Sequence, residues 1–459
     1  MRGKWRKVLL CVLGVSVVND LRRSIGSWSG TGLIVGTMIG GGIFRTPGSI
    51  ASVLPDARLI LALWVFFGIV TICGALTLAE LATMLPQTGG TYVYLRAAYG
   101  DGSAFVFGWL YMLAAIPSGM AALAVFFGEM VLGPGTRGVP WVAIGTIVFL
   151  STANVVGVRL GAAIQNTLAA VKVSALAVMI AWSFASGSAD PSRWTAAPSK
   201  EAGWLGLAAA AQSVMFTYNG WVYVSLVAGE LLDAERRLTR IILAGTGTVI
   251  GIYLLANLAY LAMMPVSAMP GTVVGQEVMG LLGGETGRRV MGACIMASVL
   301  GALNGLTLTK ARVAYALGRD GLSFSFLGRA HPTFATPYVS ILIQGAVAIV
   351  LVLSLRRFDR LTNYFVLMEW LALLFGIAAV FILRRKMADA PRPYRTPGYP
   401  WVPLVFVAGT ALGLAAILVS SCAKRDFAPL AGLGIVAAGF PVYWIWKRKY
   451  NAPRSEKTT

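Results

Sequence analysis

The chain has 459 residues, of which 57% are hydrophobic and 12% charged, against about a quarter charged in ordinary globular domains. The formal net charge is +20. That composition excludes a soluble globular fold, and lysines and arginines beside anionic lipid account for the positive charge without a nucleic-acid partner.

Apolar segments long enough to cross roughly 30 Å of hydrocarbon recur from end to end. They predict an all-α membrane protein of twelve helices, at about 29–51, 58–85, 102–132, 139–157, 161–186, 205–229, 238–264, 287–317, 336–355, 361–383, 400–422 and 428–447. Ahead of them, Arg2, Lys4, Arg6 and Lys7 precede an apolar run, Val8 to Val18, too short to span, and no small-x-small cleavage site follows. Residues 1–23 therefore read as an interfacial or disordered cytoplasmic extension. With twelve spans both termini share one side. That side carries 24 Lys and Arg against 12 on the other, which predicts cytoplasmic termini, although Arg356, Arg357 and Arg360 fall on the poorer side. Cys11, Cys73, Cys294 and Cys422 all lie in apolar stretches, with neither metal-ligand spacing nor a disulfide framework.

The first segment is interrupted by Gly40-Gly41-Gly42. Each glycine costs about 1 kcal/mol in a helix interior. A helix broken in lipid also frees backbone groups that cost several kcal/mol each if left unpaired. Such a break belongs where bare backbone meets a ligand or lines a watery cavity. In the second segment Glu80 is an intramembrane carboxylate near the cytoplasmic end. In the third, Pro117 and Ser118 are candidates for a side-chain pocket.

The fifth segment holds Lys172, with at least ten uncharged residues on either side. A lysine there costs roughly 2.5–3.5 kcal/mol, and Leu160 at the segment's start is about 18 Å away at 1.5 Å per residue, too far for easy snorkelling. The sixth segment reads as helix to Phe216, then meets Thr217-Tyr218-Asn219-Gly220, and Asn-Gly is among the strongest turn dipeptides. Broken first and sixth helices occupy matching places in two five-helix halves, the sequence pattern of a secondary transporter's binding site. Asn304 in the eighth helix is expected to hydrogen-bond across helices. His331, the one histidine, reads as a plain loop residue. Glu369 in the tenth helix is, with Glu80, either a proton relay or a paired structural carboxylate.

These residues also carry a resemblance. Gly36-Thr-Met-Ile-Gly-Gly-Gly-Ile-Phe44-Arg-Thr-Pro47 is similar to the first-helix motif of the amino acid–polyamine–organocation (APC) transporters, in particular the L-type amino acid transporter group, whose usual Gly-Ser-Gly is Gly40-Gly41-Gly42 here. Phe216-Thr-Tyr-Asn-Gly-Trp221 resembles that group's Phe-Ala-Tyr-Gly-Gly-Trp, with Thr217 and Asn219 as departures. Further matches are Ala79-Glu80-Leu81, Pro86-Gln-Thr-Gly-Gly-Thr-Tyr92, Gly301-Ala-Leu-Asn-Gly305 and Gly318-Arg-Asp-Gly321.

The resemblance implies the five-plus-five inverted repeat of the LeuT type over residues 24–385, with halves at about 24–190 and 200–385. Two added helices follow over 386–448, then a cytoplasmic tail, 449–459. It implies alternating access, with N–H groups of Gly40, Gly41 and Gly42 cradling an amino acid carboxylate. Carbonyls near Ile39, Phe216, Thr217 and Asn219 would take the ammonium, and Phe216 and Trp221 would serve as gates. Lys172 would stand where sodium-coupled relatives hold an ion, which predicts sodium-independent transport.

The expected function is secondary transport of L-amino acids across the cell membrane, as an exchanger. Neutral substrates are favoured because no acidic residue lies midway along helix three. A proton-coupled symporter and a cationic amino acid or polyamine antiporter are the alternatives. A channel would need a filter sequence or rings of charge. No phosphate-binding loop, metal cluster or nucleophile beside a histidine points to an enzyme, and no cofactor is expected. The loop Leu132 to Pro140 lacks the cysteine through which eukaryotic L-type carriers join a glycoprotein, so no disulfide-linked partner is expected.

Overall fold

The computed structural model describes residues 25–450, apart from 157, 198–200, 202, 335, 424 and 426–427. The expectation for residues 1–23 and most of the expected tail lie outside the described residues. The described chain is built of helices, with an isolated bridge between Ile25 and Leu231.

Two short helices open it, α1 (Ser27–Met38) and α2 (Gly42–Ala51), with Ile39, Gly40 and Gly41 between them. Then comes α3 (Ala57–Met84), capped by the Asp56 carboxylate, which accepts from the N–H groups of Arg58 and Leu59. The short helix α4 (Thr91–Tyr99) leads to α5 (Asp101–Leu132), α6 (Val139–Val156) and α7 (Val158–Ala185). The second half begins with α8 (Trp204–Thr217) and the single turn α9 (Tyr223–Leu226), then α10 (Ala234–Met263) and α11 (Val274–Arg319). It closes with α12 (Tyr338–Leu355), α13 (Phe358–Lys386), α14 (Trp401–Ala423) and α15 (Ala428–Tyr450).

Ten of these helices are long and apolar enough to cross a membrane: α3, α5, α6, α7 and α10 to α15. They make the chain a multi-pass membrane protein, and they lie on ten of the twelve segments expected from the sequence. The remaining two segments hold the interrupted pairs α1–α2 and α8–α9. The predicted span 287–317 is the second arm of α11, which bends where Gly283 and Gly284 leave helical geometry and Gly284 takes φ +60°.

Around the interruptions, α1 packs against α7, α10 and α11, while α11 packs against α5 and α7. Close approach between the broken elements is written in glycine. A Cβ on Gly220, whose φ is +118°, would come within 3.0 Å of the backbone of Thr37 and Met38. Only glycine combines that angle with that contact.

Candidate functional site

The gap between α1 and α2 leaves backbone groups that must find partners in a buried setting. The Gly40 N–H turns back to the Met38 carbonyl at 2.8 Å instead of reaching Gly36. The released Gly36 carbonyl is taken by Lys172 Nζ at 2.6 Å, and the same ammonium donates to the Ile39 carbonyl at 2.7 Å and the Ser298 carbonyl at 3.4 Å. Ser298 Oγ lies 3.1 Å from the Ile39 carbonyl, and the Tyr253 hydroxyl donates to the Met38 carbonyl at 2.5 Å. Lys172 is fully buried, so it does not snorkel, and all three of its ammonium hydrogens have acceptors. On the α2 side, by contrast, no backbone partner outside the helices is found among the described residues for the N–H groups of Gly41 and Gly42, which open the first turn of that helix.

Gly41 and Gly42 line a cavity of about 40 Å³ between the two interruptions. Gly40 lines it too, as do Phe216, Thr217 and Asn219. Thr46 and Thr217 meet at 2.9 Å between their hydroxyl oxygens, tying α2 to α8. Phe216 covers the cavity with its ring edge-on to Phe358 at 5.7 Å and to Phe365 at 6.0 Å.

Several charged pairs join the helices around the two interruptions. Beyond Phe216, Arg45 pairs with Glu129, and its guanidinium lies over the rings of Phe126 and Phe358 at 4.9 and 4.3 Å. On the α1 side, Arg312 and Glu230 form a fully buried two-pronged pair, and Asp320 accepts from Arg96 at 2.6 Å and Tyr92 at 2.7 Å. Burial pushes the Asp320 carboxyl up from its ordinary range, and those two donors only partly offset it.

Several expected roles change. The Gly40 N–H, expected in the carboxylate cradle, is spent on Met38. The Ile39 carbonyl, expected to take an ammonium from a ligand, already takes the one on Lys172. Trp221, expected as a gate, is fully buried against Phe406 at 5.8 Å and does not line the cavity. Its neighbour Gly220 turns the chain, which directs the indole behind the break.

Glu80, a candidate relay, is saturated. Arg384 reaches both its oxygens at 2.9 and 2.6 Å, and the Thr396 N–H donates at 2.7 Å. It fastens α3 to the end of α13. Glu369 is paired with Lys310 at 2.6 Å, both fully buried. Gly119 and Leu123 line the cavity in place of Pro117 and Ser118, and Ser118 turns onto its own helix at the Ala114 carbonyl, 2.7 Å away. A π-helical stretch, Tyr111–Ala115, lies just upstream, and such a stretch rotates the face that follows it relative to an unbroken α-helix. Asn304 accepts from Asn154 across helices at 2.8 Å. His331 Nδ1 accepts from the N–H groups of Thr333 and Phe334 in its loop.

Sequence reasoning did not single out Phe126, Glu129, Tyr223, Tyr253 or Ser298. The charge of Glu129 was the available signal, but its partner lies 84 residues away in sequence.

Residues 25–438 match the family model for amino acid permeases. The chain belongs to the amino acid permease family. The permease is 30% identical to the serine/threonine exchanger SteT of Bacillus subtilis, over 94% of this chain and 98% of that protein. It is 28% identical to the human b(0,+)-type amino acid transporter 1, over 95% and 91% of the two chains. It is also 29% identical to the mouse large neutral amino acids transporter small subunit 2, over 94% and 82%. In the permease, the matched residues include both helix interruptions and Lys172.

Proposed function

We propose that this chain is a secondary transporter that exchanges L-amino acids across the cell membrane by alternating access, without sodium. The observation that carries the reading is the cavity between the two interruptions, lined by Gly41 and Gly42, whose N–H groups have no backbone partner outside the helices among the described residues. Donors at a helix start suit a carboxylate through both hydrogen bonding and the positive end of the helix dipole. The ammonium of the substrate goes to the backbone carbonyl at Thr217, since the Phe216 carbonyl already accepts from the Asn219 N–H at 3.3 Å. The exchanger named among the relatives supports exchange over one-way uptake.

In this reading α1–α2 and α8–α9 are discontinuous membrane helices. They complete twelve spans, arranged as two inverted five-helix halves plus α14 and α15, with both termini cytoplasmic. Phe216 is the gate. Lys172 occupies the place of a coupling ion, since its charge fills the carbonyls that a cation would otherwise need. The small cavity, with no carboxylate among its lining residues, favours neutral substrates over cationic amino acids and polyamines. Neither Glu80 nor Glu369 lines it, which weighs against proton relay. Substrate and lipid are the partners this function requires, with no cofactor and no catalytic step.

The test is counterflow in liposomes. Purified protein preloaded with a panel of neutral amino acids should drive uptake of labelled ones equally in sodium and choline buffers. A strict sodium requirement would remove the role given to Lys172, and absence of counterflow for every amino acid would overturn the function.

A further inference from the structure

One polar atom facing the cavity has no use in the reading above. The Nδ2 of Asn219 is buried with no hydrogen-bond partner, the residue is 6% exposed, and it lines the cavity. Its other amide atom is fixed, because the Tyr223 hydroxyl donates to Oδ1 at 2.6 Å. The amide is thereby oriented with its N–H₂ as the free end. Tyr223 is held in turn from below. Lys310 Nζ lies 4.3 Å from the centre of its ring and 4.6 Å from that of Tyr111, within a cation–π sandwich, and the same ammonium bonds Glu369 Oε1 at 2.6 Å.

A bound amino acid offers three places for that donor. The ammonium has only hydrogens to give, so it cannot accept. In the transport reading the carboxylate is served by the Gly41 and Gly42 N–H groups. What remains is the substrate side chain. The cavity is small, and Gly119, Leu123, Ala302, Leu306 and Phe365 make much of its lining apolar beside Thr37, Thr217 and Tyr223. An apolar side chain of the right size would fill that space and leave the Asn219 donor buried and unpaired, which is costly.

We infer that Asn219 is a specificity-determining residue that selects small side chains carrying a hydrogen-bond acceptor, a hydroxyl above all. Tyr223 is the positioning residue that aims its amide, seated on the Lys310–Glu369 pair. The inference rests on the transport reading and narrows its substrate class.

Isosteric substrate pairs test it, because damage to the fold lowers both members of a pair alike while loss of the donor changes their ratio. In counterflow, kcat/KM for L-serine should exceed that for L-alanine, and L-threonine that for L-valine, by at least about tenfold. Asn219→Leu keeps the shape and removes the donor, so both ratios should fall toward one. Tyr223→Phe frees the amide and should lower the ratios partway, through KM more than kcat. Should Asn219→Leu carry no substrate, the same ratios can be read as thermal stabilisation of the purified variant by each amino acid. Ratios near one in the unaltered protein, or ratios that survive Asn219→Leu, would overturn the assignment while leaving amino acid exchange standing.

Discussion

The ring of Phe126 stands where a side chain on Gly41 would go. A Cβ built on Gly41 meets the Phe126 ring at 2.3 Å and Val299 at 2.9 Å, closer than side-chain carbons ever approach. The serine common at this place in similar transporters is therefore excluded here by an aromatic neighbour on α5. Phe126 also carries the Arg45 guanidinium at 4.9 Å, so the residue that excludes a side chain at Gly41 also holds Arg45.

Gly41→Ser should consequently reduce transport, and overpacking of about 1–3 kcal/mol, if felt in full at the site, lowers kcat/KM by roughly 5- to 150-fold. The double variant Gly41→Ser with Phe126→Leu gives the hydroxyl its space and should recover part of that loss. Equal defects in the single and double variants would show that the ring is not the obstacle.

Lys172→Ala removes the shared donor of three buried carbonyls; Ile39 keeps Ser298 Oγ, while Gly36 loses its partner at about 1–3 kcal/mol. Transport should fall by at least a hundredfold while the protein still reaches the membrane, checked by counterflow normalised to purified monomer. Normal exchange kinetics in this variant would count against any coupling role.

The Arg45–Glu129 pair is half-buried, with side-chain exposures of 19% and 14%. Glu129→Gln removes its carboxylate charge but not its shape. Substrate should then escape more readily past Phe216, raising KM about tenfold and increasing efflux into buffer without counter-substrate. Unchanged efflux would reduce the pair to surface decoration.

Arg312 and Glu230 are buried far more deeply, and removing one partner of such a pair costs about 3–5 kcal/mol. Glu230→Gln should lower the melting temperature of the purified protein. Adding Arg312→Met should recover part of the drop, giving a measurable coupling in a double-mutant cycle. Additive losses would mean that the two side chains do not depend on each other.

What the sequence disclosed follows from where the physics is local. Gly40-Gly41-Gly42 and Asn219-Gly220 carry their helix-breaking cost in consecutive residues, and Lys172 stands out because a charge inside an apolar run has to be satisfied somewhere. Both segments are interrupted in the structure at those places. What satisfies them was out of reach. Lys172 and Ile39 are 133 residues apart, and Tyr253 and Met38 are 215 apart, so only the fold joins them. The role expected of Trp221 failed because a residue after a turn carries no local sign of its direction.

Gly119 and Leu123 line the cavity in place of Pro117 and Ser118, on the helix that follows the π-helical stretch Tyr111–Ala115. Such a stretch accommodates one residue beyond the regular α-helical count. Deleting one residue there would present a different set of side chains to the ligand without altering any of them. The helix thus holds a setting that point substitution cannot reach. Divergence of substrate preference among chains of this kind can proceed by changes of length as well as of letter.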